Sequence, residues 1–145
     1  MLTEELKIQI RRLPEELLTQ GDLAVADELI APNCIHHAPI LLAPGADGVK
    51  RWVRALRLAF PDLCTIVEDE IAEDDRVVQR LTLRGTHLGT FDGLPPTGRQ
   101  ATWQLVAIQH LNRDGRLAEH WATWDQLGLL RQLGALPDIA TEEET

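Results

Sequence analysis

The chain has 145 residues, 44% of them hydrophobic and 26% charged, which is enough apolar material for one packed core and too much for a disordered polymer. Its formal net charge of -9 sets 23 acids against 14 dispersed Lys and Arg, so a phosphate-backbone partner is excluded. No apolar run reaches the ~20 residues of a membrane span, and Met1-Leu2-Thr3-Glu4-Glu5 is acidic where a secretory leader is basic and then apolar. A soluble, cytoplasmic protein is therefore expected, without membrane or nucleic-acid partners.

From Leu2 to Gln20 the residues Leu6, Ile10, Leu13, Leu17 and Leu18 form a helical stripe, which Pro14 should kink or divide. Gly21-Asp22 restarts the chain, and Leu23 to Ile30 repeats the pattern with Asp22 as N-cap, until Pro32-Asn33 ends it. Cys34 to His37 reads as a short strand and Pro39 to Gly48 as a loop. Val49, Trp52, Val53, Leu56 and Phe60 share one face of a third helix, stopped by Pro61. Cys34 and Cys64 lie far apart with no CxxC or His-Cys cluster, so free thiols are expected, with no disulfide and no metal site.

Beyond Leu63 the period changes to alternating or nearly continuous apolar, giving four strands over Thr65 to Ala72, Arg76 to His87, Gln100 to Leu111 and Arg116 to Trp124. The polar turns Glu73-Asp74-Asp75 and Asn112-Arg113-Asp114-Gly115 make neighbours antiparallel, and the longer Gly89 to Gly98 loop could rim a cavity. Helices followed by a curved antiparallel sheet is an α+β order. A single domain over residues 1–136 is expected, with an acidic, frayed tail over 137–145.

The last predicted strand stops on Asp125, an acid close in sequence to Trp121 and Trp124 and one hairpin from Trp103. Apolar surroundings raise a carboxyl pKa, which suits a proton shuttle. Equally, Gln126-Leu127-Gly128-Leu129-Leu130 could be a helix that Asp125 caps.

The strings Gln20-Gly21-Asp22-Leu23, His36-His37-Ala38-Pro39, Ala59-Phe60-Pro61-Asp62, Gly85-Thr86-His87-Leu88-Gly89, Pro95-Pro96-Thr97-Gly98, Glu119-His120-Trp121 and Asp125 with Gln132-Leu133-Gly134, in this order, resemble the SnoaL-like polyketide cyclases, or ester cyclases. The resemblance implies a nuclear transport factor 2-like cone, with helices laid on a strongly curved antiparallel sheet around a deep pocket, and a homodimer paired through the sheet. It also implies intramolecular aldol closure of a polycyclic ester or ketone without a cofactor. In that chemistry Asp125 is the general acid/base, and His37 of the His-x-Pro string is a catalytic pocket residue that bonds a carbonyl or orients the acid.

Other candidates for the substrate site are Trp52, Arg80, His87, Trp103, Gln109 and Trp121. Trp121 shares strand parity with Asp125 and should form the apolar wall, Trp124 and His36 should point the other way, and His120 has the wrong parity unless a bulge intervenes. Arg80 could face the cavity with Thr82 and stabilise an enolate, or pair with an acid, or lie on the solvated side. Gln109 has the parity of Trp103 and could offer its amide to a carbonyl, or bond across strands. His87 precedes the Gly/Pro loop as a lid contact or a turn residue. Trp52 and Trp103 are core or pocket wall, and flat aromatic walls suit a small hydrophobic or polycyclic substrate. An isomerase, an epoxide hydrolase and a ligand-binding or dimerisation module stay open as alternatives. The lack of any Tyr removes the usual oxyanion donor of a ketosteroid-isomerase site, and an epoxide-hydrolase site would need a second acid beside Asp125 and Arg80.

Overall fold

Proline divides the N-terminal stripe as its chemistry requires. In the computed structural model, which describes residues 3–136, helix α1 spans Thr3–Arg12 and Pro14 sits in the first turn of a π-helical segment over Leu13–Thr19. The expected acidic tail lies outside the described residues. Gly21, at φ 73°, makes the reversal, and α2 (Ala24–Leu29) follows with Asp22 Oδ1 accepting from the Ala24 amide at 3.3 Å. Helix α2 then runs directly into strand β1 (Ile30–His37), which begins four residues earlier than the sequence predicts.

Helix α3 (Gly45–Ala59) buries Val49, Val53 and Leu56. Strands β2 (Cys64–Glu73), β3 (Arg76–Thr86), β4 (Gln100–Leu111) and β5 (Leu117–Trp124) match the four predicted strands within two residues, and α4 (Gln126–Gln132) ends the described chain. The sheet order is β1-β5-β4-β3-β2, antiparallel throughout except for the parallel β1–β5 pair. This is the α+β, helix-on-curved-sheet cone that was expected. Among the described residues, no helix is long and apolar enough to cross a membrane.

Strict alternation along β4 sets the two faces. Trp103, Leu105, Ala107 and Gln109 are buried beneath the helices, whereas Val106 and Ile108 stay 38% and 42% exposed on the opposite face. One irregularity decides the rest of the site. His110 pairs with Glu119 and Leu111 with Leu117, so β5 takes two steps where β4 takes one and Ala118 is the extra residue of a bulge. The bulge moves the inward face of β5 from the 117, 119, 121 series to His120, Ala122 and Trp124.

Candidate active site

The inner cavity lies between the helical arm and the sheet. Leu13, Pro14, Leu17 and Leu18 close one side, Trp52 and Val49 of α3 a second, and the inward residues of β3, β4 and β5 form the floor. Its polar lining consists of Gln79, Gln109 and His120, and no carboxylate is among the lining residues. The cavity holds about 70 Å³ and adjoins an outer cleft of about 280 Å³, sharing Leu42, Trp52 and Trp124 with it. The rings of Trp52 and Trp124 stack there, 5.6 Å between centroids and 26° between planes. Trp124 is held by Nε1 donating to Gln126 Oε1 at 2.8 Å, and Gln126 Nε2 donates in turn to Asp92 Oδ2 at 2.7 Å.

His120 is the titratable group of the inner lining, and its tautomer follows from its neighbours. The Gly45 carbonyl can only accept, so His36 Nε2 carries a proton and donates to it at 2.8 Å. In neutral His36 the other nitrogen, Nδ1, is then an acceptor. It lies 2.8 Å from His120 Nδ1, which must carry the proton of that bond. His120 Nε2 is left with its lone pair. Burial, followed by the nearby His36 and His37, lowers the pKa of His120 to about 4, and burial first also lowers that of His36. Both imidazoles are therefore neutral at pH 7.

Cys34 completes this cluster from β1. Its Sγ is 3.8 Å from His36 Nδ1, and one ligand atom each from Cys34, His36 and His120 fall within 4.8 Å of one another, the spacing of a metal-ligand set that the sequence reading missed. Burial pushes the Cys34 thiol up to about 12, and the two Nδ1 atoms are engaged with each other. As it stands, the arrangement is a histidine relay with a neutral thiol behind it.

Several expected placements are corrected. Asp125 is exposed rather than buried: it lies one residue past β5, and its Oδ1 accepts from the Gly128 amide at 2.8 Å as the N-cap of α4. Trp121 points outward, 41% exposed, opposite Ile108, and Trp124 takes its place in the wall. His37 is also on the outer face, stacked on Trp121 at 5.0 Å and 12°, with Nε2 2.8 Å from Glu119 Oε2. His36, the neighbour expected to face away, faces in with His120. The common cause is the Ala118 bulge together with the register shift between Ile30 and Ile35 of β1.

Arg80 lies outside the cavity, where its Nε donates to Asp69 Oδ2 at 2.7 Å, while its neighbour Gln79, which the sequence reading passed over, is fully buried and lines the floor. His87 is buried against Phe60, its Nδ1 accepting from the Thr97 amide at 3.2 Å, and so anchors the 89–98 loop from below. Trp52 lines both spaces, and Trp103 lines the outer cleft with its ring 5.1 Å from Phe60. Gln109 is on the floor and bonds across strands, both as the sequence allows, its Nε2 donating to Gln79 Oε1 at 3.2 Å, while its own Oε1 is buried without a partner.

Comparison with known proteins places this chain among relatives. The model of the family described as SnoaL-like polyketide cyclase matches residues 8–133. An aklanonic acid methyl ester cyclase of Streptomyces peucetius is 33% identical over 132 residues, covering 86% of this chain and 88% of the relative. The nogalonic acid methyl ester cyclase of Streptomyces nogalater is 33% identical over 111 residues, covering 74% and 82%. Among solved structures, TsrD of Streptomyces laurentii superposes with a TM-score of 0.79 at 32% identity, over 90% of this chain and 98% of that one.

Proposed function

The chain belongs to the SnoaL-like polyketide cyclase family, and from that premise we propose that it closes a ring in a planar polycyclic ester or ketone by intramolecular aldol chemistry, without a cofactor, and that His120 rather than Asp125 carries the proton. The observation that carries this reading is the Gly45–His36–His120 relay, which leaves a lone pair on a nitrogen of the cavity floor where no carboxylate is present. In the reaction, His120 Nε2 takes a proton from a carbon flanked by two carbonyls, the carbanion attacks a ketone, and the imidazolium returns the proton to the new alkoxide. A base whose conjugate acid has a pKa of about 4 serves only an already acidic carbon, but its imidazolium is a correspondingly strong acid for the second step. The enolate also offers the imidazolium a counter-charge in a largely apolar cavity.

The relatives' names point to methyl esters as the substrate class, and the stacked Trp52 and Trp124 give a flat wall that suits a planar, polycyclic one. The inner cavity is too small for several fused rings, so the reacting edge sits at His120 and the remainder extends past the tryptophans into the outer cleft. The outer sheet face, with Ile35, Val106, Ile108 and Trp121 exposed, is where a second copy would pair to form the expected homodimer.

A second reading, ligand binding without catalysis, is favoured by one observation: the family-matched acid is engaged as a helix cap. Deuterium exchange at the acidic carbon of methyl 1-oxotetralin-2-carboxylate separates the two. The wild-type protein should accelerate exchange, Asp125→Asn should retain the acceleration, and His120→Asn, which keeps a donor toward His36, should lose about 100-fold or more. Absence of acceleration by the wild type would leave only the binding module, and loss in Asp125→Asn alone would return the role to that acid.

A further inference from the structure

A chain of fixed polarity runs from the surface to the cavity floor. Arg11 donates twice to Glu70 Oε1, from Nη2 at 2.6 Å and from Nε at 3.2 Å, and Glu70 raises the pKa of Arg11, holding it charged. The paired carboxylate of Glu70 can only accept, so at its other oxygen it takes the amide N–H of Gln79, 2.8 Å from Oε2. Gln79 is thereby obliged to present its carbonyl oxygen to Gln109, which donates from Nε2 at 3.2 Å. Gln109, 4% exposed, is one of the residues lining the cavity, and its Oε1 is left buried and unpartnered. A buried acceptor without a partner is unfavourable until something donates to it. In β4, Gln109 is the direct cross-strand partner of His120, whose free Nε2 is a second acceptor.

We propose that the cavity recognises its ligand through a hydroxyl donor at the leading edge, a phenol or enol, received by Gln109 Oε1. This inference deepens the cyclase reading by naming a substrate group, but it concerns binding alone. Of the two roles the sequence leaves open for Gln109, the amide N–H takes the cross-strand bond, to Gln79, and the carbonyl oxygen is the group left for a ligand. An enolised 1,3-dicarbonyl or a phenolic ring satisfies the site, whereas a ring edge carrying only ketones or ethers leaves two acceptors facing acceptors. Glu70, outside the cavity, acts as a positioning residue that sets this polarity through Gln79.

Isothermal titration of 2-naphthol and its methyl ether, 2-methoxynaphthalene, against the full chain tests the proposal. The wild type should bind the naphthol about tenfold tighter or more, and Gln109→Leu should bind the two within about twofold. Glu70→Gln provides the second arm. With Arg11 donating to its oxygen, the new amide gives N–H to Gln79, both glutamines reverse, and Gln109 presents N–H to the cavity, so the preference should shift toward the ether. A simple loss of stability would weaken both probes alike and leave their ratio unchanged. Equal binding by the wild type, binding of neither probe, or an unchanged ratio in Glu70→Gln overturns the proposal. Failure of proton exchange at His120 leaves the ratio untouched, so the two readings fail separately.

Discussion

At the scale of single residues, the chemistry rests on which side chains lose contact with water. His120 has its pKa lowered to about 4 against an ordinary value of 6.5, so the folded state binds fewer protons than the unfolded state in between. The sign follows directly: the stability associated with neutral His120 is fully present above pH 6.5 and is lost as pH falls toward 4. The charged or titratable groups around it are His36, shifted in the same direction, His37, Glu119 and the neutral thiol of Cys34. Denaturant unfolding at pH 7 and pH 4.5 should reveal a loss of about 2 kcal/mol from this source, and His120→Asn should flatten that dependence. Asp125 belongs to a different economy. Asp125→Ala removes the acceptor of the Gly128 amide and should lower stability by about 1 kcal/mol while leaving exchange chemistry in place, measurable by thermal unfolding beside the deuterium assay.

At the scale of elements, the strands and helices were legible because their periods differ and their breaks are chemical. Pro14, Gly21 and Pro61 mark boundaries where the structure has them, and β4 alternates as its sequence does. The site was less legible because facing is set by register, not by period. A single extra residue at Ala118 exchanges Trp121 for Trp124 and brings in His120, and no local signal around Ala118 announces it. The signal that was available lies in β3: Gln79 shares parity with Val77, Leu81 and Leu83, so an amide was bound for the same interior. The loop after β3 is tied to the end of α3 by the Leu88 and Gly89 amides, which both donate to the Ala59 carbonyl at 3.0 and 3.1 Å. A Cβ at Gly89 would run into the Leu58 carbonyl oxygen. Gly89→Ala should therefore cost about 1–3 kcal/mol in chemical denaturation and loosen the rim of the outer cleft.

At the scale of the whole molecule, the two faces of one sheet have separate work. The concave face supplies the floor of the cavity, and the outer face keeps Val106, Ile108 and Trp121 partly exposed with His37 stacked among them. If copies pair across that face, sedimentation equilibrium at micromolar concentration should report a dimer, and Ile108→Glu should yield a folded monomer. The acidic surface, at a net charge of -9, suits a neutral ring system better than a polyanion.

The claim beneath all of this is that His120 waits in the cavity as a neutral base with its proton on Nδ1. Nitrogen-15 NMR of the imidazoles across pH 7 to 3.5 reads both properties at once. The account predicts a protonated Nδ1 and a bare Nε2 for His120 at neutral pH, with uptake of the second proton centred near pH 4. An Nε2-protonated ring, or titration at the ordinary value of 6.5, would contradict it.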